Sequence, residues 1–228
     1  MKTLNNYFSN IYCINLDKRP DRYEDCLIEF KLLSINVERV SGVDGTKLYR
    51  EGMGIGVGNY GLVQTQMKII NDAINKKYKS FLLLEDDVMF IDGFYDKFEK
   101  KINSLPDDWD LLYLGGNNLF HMGKHIMITG DKNFVITKDN YKMLDYELCK
   151  TTWTQCAHAV AINSRFYQTL LNKLNENQTT PGDLTLARLQ AGCNAYAFLP
   201  SLVLQRPSFS DINFQFVNFN EQKDTFNF

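Results

Sequence analysis

Three consecutive acidic residues, Glu85, Asp86 and Asp87, follow directly after the apolar run of residues 81–84. Neighbouring carboxylates repel one another, so they are tolerated together when water solvates them or when a cation neutralises them. Carboxylate oxygens are the preferred protein ligands of hard ions such as Mg²⁺ and Mn²⁺. A solvated turn is the alternative interpretation. We favour a metal site, because the apolar run buries the preceding strand and aims the acids at a fixed point.

Two arginines, Arg19 and Arg22, lie in the charged segment 17–22, just after the first apolar run of the chain. The guanidinium fork matches the geometry of phosphate oxygens, so this segment could bind a nucleotide. It could equally be a solvated start of a helix with internal salt bridges. The residue types alone leave both interpretations open.

The three histidines, His121, His125 and His158, show no metal-ligand spacing among themselves. His158 lies within an apolar stretch that predicts a strand, so a histidine packed in the core is favoured over a catalytic one. The chain has no Gly-x-Ser-x-Gly motif, so a serine hydrolase is not supported. The four glycines of segment 52–58 lack the Gly-Lys-Ser/Thr ending of a phosphate-binding P-loop, and a plain loop is favoured there.

The elements that must position these residues follow an α/β pattern. Apolar strands are expected at 11–16, 81–84, 110–114, 156–162, 195–199 and 202–204, with an extended segment at 35–43. Helices are expected from Pro20 onward and over 59–77, 93–102, 164–175 and 182–191, from their apolar periodicity. A hairpin is expected within 125–137, and the tail after Asp211 shows no period. In such folds ligands bind beyond the carboxyl ends of strands, which is where the acidic triplet lies.

The bulk composition predicts one domain spanning residues 1–228. Hydrophobic residues make up 44% and charged residues 23%, and the net charge is -2, which disfavours a nucleic-acid partner. No apolar run approaches the roughly 18 residues of a transmembrane helix, and residues 1–16 lack the apolar stretch of a signal peptide. The five cysteines include no Cys-x-x-Cys pair. A cytoplasmic protein is therefore expected, with peripheral membrane association left open.

An ordered set of short segments resembles the proteins of glycosyltransferase family 25, which include bacterial lipooligosaccharide galactosyltransferases and collagen hydroxylysine galactosyltransferases. The matching segments are residues 12–22, 40–45, 83–88, 109–115, 181–183 and 210–212. Segment 83–88, Leu-Leu-Glu-Asp-Asp-Val, is similar to the family's variant of the Asp-x-Asp metal motif. The resemblance covers about residues 10 to 212, and its specificity comes from the order of the segments.

The resemblance implies a GT-A-like single domain with a central mixed, mostly parallel sheet flanked by helices. It implies a UDP-sugar donor, a Mn²⁺ or Mg²⁺ ion and inversion at the anomeric carbon. The nucleotide-sugar half would span about residues 1–115 and the acceptor half about 116–228. By position, Glu85 and Asp87 would be metal ligands, and Asp183 would contact the acceptor or act as general base, with His158 second. The nucleotide would lie against Asn15, Arg19, Arg22, Asp44 and Asp86.

Two departures from the family pattern affect the functional hypotheses. Thr65-Gln66 stands where the family usually has Ser-His, and a glutamine carries no proton at neutral pH. His158 falls where members often carry an aromatic residue. The expected partners are a UDP-sugar and a glycan or glycosylated-protein acceptor, with galactose favoured and glucose or N-acetylglucosamine open. A catalytically weak nucleotide-sugar-binding module and a metal-dependent nucleotidyltransferase are the alternatives.

Overall fold

A mixed eight-stranded sheet forms the centre of the protein in the computed structural model, which describes residues 2–48, 56–118, 127–128, 145–212 and 215–218. In chain order, the strands of this sheet are β1 (Asn10–Asn15), β2 (Glu38–Ser41), β3 (Ser80–Glu85), β5 (Leu111–Asn118), β6 (Met127–Ile128), β7 (Glu147–Lys150), β8 (Thr154–Asn163) and β9 (Ala195–Leu199); strand β4 belongs to a separate small sheet. Two small sheets pair β4 (Val88–Phe90) with β10 (Val203–Gln205), and β11 (Ser208–Ser210) with β12 (Gln215–Val217). The helices are α1 (Pro20–Leu32), α2 (Val57–Asn75), α3 (Phe94–Ile102), α4 (Ser164–Glu176) and α5 (Gly182–Leu189).

The expected α/β class and mixed sheet are confirmed, but the sheet is not mostly parallel. In the order β2-β1-β3-β8-β5-β9-β7-β6, the pairs β1–β2, β1–β3 and β5–β9 are parallel and the other four pairs are antiparallel. The difference arises because the long strand β8 lies antiparallel to both β3 and β5 in the middle of the sheet, and because β7 lies antiparallel to both β9 and β6.

Most element boundaries agree with the sequence-based expectations to within about two residues, which is the ordinary uncertainty of helix and strand ends. Strand β5 departs more, since it continues through Gly115 and Gly116, where a stop was expected. The tail after Asp211 contributes strand β12, which the sequence pattern did not indicate. Of the expected hairpin within 125–137, only Met127 and Ile128 are described, and they pair with β7; the rest lies outside the described residues.

Strand β3 is buried on both faces, as its unbroken apolar run predicts. Leu82 and Leu84 belong to one hydrophobic core, which also contains residues of α1 and α3. Phe81 and Leu83 belong to a second core, which contains residues of α2, α4 and α5. The sheet is therefore covered by helices on both sides, and β3 ends at a fixed point. No helix in the described parts of the chain is long and apolar enough to cross a membrane.

The start of α2 packs closely against the loop after β2. A Cβ atom added to Gly45 would lie 1.6 Å from the Val57 carbonyl oxygen, and one added to Gly61 would lie 2.2 Å from the Val43 carbonyl oxygen. The Thr65 hydroxyl also accepts a hydrogen bond from the Val43 N–H at 2.8 Å. Only glycine fits at both positions, so these contacts fix where the first turn of α2 lies relative to the end of β2.

We expect Gly45→Ala to destabilise the protein by about 2–3 kcal/mol, because the new methyl group must displace helix backbone. The free energy of unfolding from urea titration checks this. Gly192→Ala is the matched control, since a Cβ there meets no atom within 4 Å, and its effect should stay within about 0.5 kcal/mol. Equal free energies of unfolding for the two variants would contradict the close packing of Gly45 against the backbone of Val57.

Candidate functional site

The acidic triplet lies at the carboxyl end of β3. Glu85 is the last residue of that strand, and Asp86 and Asp87 form the turn into β4. The pairing of β4 with β10 holds the end of this turn. Next to that pairing, the Arg206 N–H donates a hydrogen bond to the Asp87 carbonyl oxygen at 2.6 Å. The position predicted from the sequence is therefore the observed one.

A single arginine lies between the two aspartates. The Arg22 Nη2 atom is 2.6 Å from Asp86 Oδ1 and 3.0 Å from Asp87 Oδ2, and all three side chains are mostly buried. The other oxygen of Asp86 accepts a hydrogen bond from Asn15 Nδ2 at 2.7 Å. Asn15 is in turn oriented by Arg39, whose Nε donates to Asn15 Oδ1 at 2.9 Å. Arg22 and Asn15 thus act on the acidic residues, and Asn15 does not line the cleft described below.

Asp87 has one carboxylate oxygen that is available to a ligand. Its Oδ2 interacts with Arg22 and, at 3.4 Å, with Gln205 Nε2, whereas Oδ1 is buried and has no hydrogen-bond partner. A buried carboxylate oxygen without a partner is costly, and a bound cation would remove that cost. No group of three His, Cys, Asp or Glu side chains within the described ranges is arranged to hold a metal by itself. The residues fit a Mn²⁺ or Mg²⁺ ion whose remaining ligands come from substrate or water.

A cleft of about 420 Å³ opens over the acidic triplet. It is bounded by the ends of β1, β2 and β3, by the first turns of α2 and α5, and by the β11–β12 hairpin. Its lining includes two cationic side chains, Lys18 and Arg22, and six carboxylates. These carboxylates belong to Asp44, Glu85, Asp86, Asp87, Asp183 and Asp211. The excess of negative charge means that an anionic ligand needs an accompanying cation to bind here.

The crowding of carboxylates shifts their proton affinities. Burial raises the pKa of Glu85 to about 8, and the charges of Asp87, Asp183 and Asp86 add to this shift while Arg22 opposes it. Burial also raises the pKa of Asp86 to about 6, with Arg22 and the hydrogen bond from Asn15 acting in the opposite direction. The ligand-free site therefore holds protons that a bound cation would displace.

Asp183 lines the cleft and lies in the first turn of α5. Its Oδ1 accepts a hydrogen bond from the Leu184 N–H at 2.8 Å, and its Oδ2 accepts one from the Cys156 N–H at 3.3 Å. His158 is 4% exposed, does not line the cleft, and has its Nε2 3.0 Å from the Val203 carbonyl oxygen. This placement favours the packed core histidine over the catalytic one, because no substrate in the cleft reaches the ring.

Two other residues predicted to contact the nucleotide, Asp44 and Arg19, differ in whether they line the cleft. Asp44 lines the cleft, where its Oδ1 caps the short helical turn Gly45–Lys47 and its Oδ2 lies 3.8 Å from Lys18 Nζ. Arg19 does not line the cleft. Its guanidinium binds Asp21 through two nitrogens and Asp211 through the third, so it ties the β11–β12 hairpin to the start of α1. Segment 17–22 therefore places Arg22 in the cleft, while Arg19 forms ion pairs with Asp21 and Asp211.

Thr65 and Gln66, which stand where the family usually has Ser-His, lie beside the cleft. Thr65 lines it, while Gln66 is 4% exposed and packs against the start of α5, where a Cβ on Gly182 would lie 2.0 Å from Gln66 Oε1. Sequence patterns missed Gln205, Cys156 and the hairpin residues Ser208 and Ser210, which also line the cleft. Their side chains are common in any protein, and only the paired strands bring them together. His121 and His125 lie outside the described residues.

Curated proteins with similar sequences carry the family name that the motifs indicated. A "Glycosyltransferase 25 family member" of Aedes aegypti is 26% identical over 162 residues, covering 60% of this chain and 26% of that protein. The human "Inactive glycosyltransferase 25 family member 3" is 25% identical over 162 residues, covering 62% and 27%. The human "Procollagen galactosyltransferase 2" is 25% identical over 160 residues, covering 61% and 26%. The resemblance to glycosyltransferase family 25 is therefore confirmed, and the chain spans about a quarter of the length of these relatives.

No family model matches the chain. Among solved structures, "A197 from STIV" has a TM-score of 0.42 at 13% identity and covers 86% of this chain and 83% of that one. The galactosyltransferase LgtC, solved with donor and acceptor sugar analogues, has a TM-score of 0.40 at 11% identity, with coverages of 90% and 91%. Both TM-scores lie below 0.5.

We expect Glu85→Gln to stabilise the ligand-free protein at pH 8. The raised pKa means that the folded state keeps a proton that the unfolded state loses above about 4.5, so stability falls as pH rises toward 8. For one proton the slope is at most about 1.4 kcal/mol per pH unit, and the variant removes it. Urea titrations in chelator between pH 5 and pH 8 measure the slope, with Glu24→Gln on the exposed face of α1 as control. Parallel profiles of Glu85→Gln and the parent would show that Glu85 is not electrostatically strained.

Proposed function

We propose that this domain is a metal-dependent, inverting glycosyltransferase of GT-A type, which moves a hexose from a UDP-sugar to a hydroxyl group of a glycan or glycosylated-protein acceptor. The observation that carries the proposal is the unpartnered Asp87 Oδ1 at the floor of an acidic cleft, beside Arg22. The family 25 names of the curated relatives support transfer of a sugar, and the procollagen galactosyltransferases among them support galactose.

The charge balance of the cleft supports a metal requirement. A nucleoside diphosphate brings negative charge to a lining that already has six carboxylates against two cations. Arg22 cannot serve the diphosphate alone, because its Nη2 is already shared between Asp86 and Asp87. Asp87 and Glu85 would hold the Mn²⁺ or Mg²⁺ ion. That ion would supply neutralisation of the charge on the departing UDP.

The protein's own groups supply binding surfaces on the donor side. Val57, Gly58 and Asn59 in the first turn of α2 line the cleft, and the residue at the N-cap of that helix, Gly56, has no side chain to cap it. The first N–H groups of a helix lack intrahelical partners and favour an anion. Lys18 adds a positive charge on the same side of the cleft. We therefore place the UDP portion between the start of α2 and the acidic triplet.

Asp183 is the proposed general base. Glu85 and Asp87 are committed to the metal, whereas the two Asp183 oxygens accept hydrogen bonds from the backbone N–H groups of Cys156 and Leu184. An acceptor hydroxyl bound beside Asp183 would pass its proton to the carboxylate as the oxygen attacks the anomeric carbon. The bond from that carbon to the UDP oxygen breaks in the same step, which inverts the configuration.

A second candidate function is a binding module without turnover. The specific observation in its favour is the similarity to a relative named as inactive, at 25% identity. The two candidates differ in one measurement, the release of UDP from a panel of UDP-galactose, UDP-glucose and UDP-N-acetylglucosamine with and without Mn²⁺. Metal-dependent release in the presence of an acceptor supports the transferase, and tight UDP binding with no release supports the module.

We expect Asp87→Asn to abolish transfer and to remove Mn²⁺ binding, which in the parent should require UDP because the protein offers only part of the coordination shell. Calorimetric titration of Mn²⁺ with and without UDP measures this directly. Asp92→Asn, in the exposed loop after β4, removes the same charge away from the cleft and should leave both properties unchanged. Full activity in excess chelator would overturn the metal assignment.

We expect Asp183→Asn to lower kcat by about 10²–10⁴-fold, the range typical of a lost general base. The amide keeps the shape of the carboxylate and one acceptor oxygen, so it retains one of the two contacts with the Cys156 and Leu184 N–H groups. Because Asp183 is not placed against UDP or the metal, the UDP and Mn²⁺ affinities should stay within about twofold of the parent. Steady-state transfer kinetics and calorimetry together separate the two effects. A variant with near-normal turnover would remove Asp183 from the mechanism.

A further inference from the structure

We propose that a bulge in strand β8, at residues 156–158, positions Asp183 for catalysis through the backbone N–H of Cys156. The inference rests on the proposed function for the role of Asp183, but its structural basis is independent of activity. Cys156 and His158 are positioning residues in this proposal.

The register of the sheet shows the bulge. Strand β5 pairs Gly115 with Ala159 and Asn117 with Gln155, so one residue on β5 lies opposite three on β8. The extra residues leave the regular ladder, and Cys156 adopts a left-handed backbone conformation with φ of 56°. That conformation is uncommon for a residue other than glycine, and it costs free energy unless the surroundings require it.

The bulge frees a backbone donor and aims it at the cleft. The Cys156 N–H donates to Asp183 Oδ2 at 3.3 Å instead of pairing with β5. Cys156 and Ala157 both line the cleft, so the displaced backbone forms part of its wall. Bulges next to functional sites commonly redirect groups in this way.

His158 supports the bulge from the opposite side. Its ring lies over Gly115, where an added Cβ would be 2.3 Å from His158 Nε2, and the same nitrogen is 3.0 Å from the Val203 carbonyl oxygen. Consecutive side chains of a strand point to opposite faces, so the ring packs beneath the cleft while Ala157 faces it. A further contact, from Asn117 Nδ2 to Cys156 Sγ at 3.3 Å, links the bulge to β5.

Amide hydrogen exchange tests the structural part without any requirement for activity. In the parent the Cys156 amide should be protected, and in Asp183→Ala it should exchange about tenfold faster or more, because its acceptor is gone. The amide of Ala161, within the regular part of β8, is the internal reference. Unchanged protection of Cys156 in Asp183→Ala would overturn the proposal.

A double-mutant cycle tests the catalytic part. Cys156→Val puts a β-branched side chain at a left-handed position, and we expect kcat to fall about tenfold while KM for the donor changes less than about twofold. If Cys156 acts through Asp183, the same substitution in the Asp183→Asn background should lower kcat by less than about twofold. Cys156→Gly, which accepts the left-handed conformation, should retain more activity than Cys156→Val.

The matched control is Ser34→Val. Ser34 has a φ of 53° at an exposed position after α1, so the substitution introduces the same kind of backbone strain far from the cleft. It should lower stability and leave kcat unchanged. Equal losses from Cys156→Val in the parent and Asp183→Asn backgrounds would overturn the positioning role while leaving the transferase function intact. Failure of the parent to transfer any sugar would contradict the proposed function. In that case, hydrogen exchange at the Cys156 amide would still test whether the bulge holds Asp183.

Discussion

The mutual repulsion of the carboxylates at the end of β3 is the constraint on which the rest of the site depends. Glu85, Asp86, Asp87 and Asp183 influence one another electrostatically, and Arg22 is the cation placed among them. The raised pKa values of Glu85 and Asp86 show that one guanidinium does not offset this repulsion together with the cost of burial. The cluster persists because the surrounding fold holds it, and such local cost is a common feature of sites that await a ligand.

The fold holds this cluster with elements that are ordinary by themselves. The two hydrophobic cores bury β3 on both faces and set the direction in which the triplet leaves the sheet. The β4–β10 pair anchors the turn from the far side, and Asn15 at the end of β1 binds Asp86. Each contact restrains a different acidic residue, so separate elements of the fold hold the three side chains at the cleft.

The sequence predicts the position of the acidic triplet better than the composition of the surrounding cleft wall. An unbroken apolar run followed by acids is a local signal, and it placed Glu85, Asp86 and Asp87 at the end of a buried strand. Arg19 and Arg22 looked equivalent in sequence, yet Arg22 lines the cleft and Arg19 pairs with Asp21 and Asp211. The direction of α1 determines which of the two side chains reaches the cleft. The left-handed Cys156 depends on the pairing of β8 with β5, two strands that are distant in sequence, and no local pattern encodes that pairing.

The antiparallel entry of β8 explains why Asp183 and the acidic triplet meet at one edge of the sheet. In a parallel sheet the carboxyl end of β3 would lie beside the carboxyl ends of its neighbours, and the beginning of β8 would be at the opposite edge. Here Leu84 pairs with Ala159 in an antiparallel register, so the acidic triplet that follows Leu84 lies beside residues 156–158, near the start of β8. The bulge at that level then reaches the first turn of α5 and Asp183. The expectation of a mostly parallel sheet was wrong at β8, the strand that brings Asp183 to the acidic triplet, and also at β7.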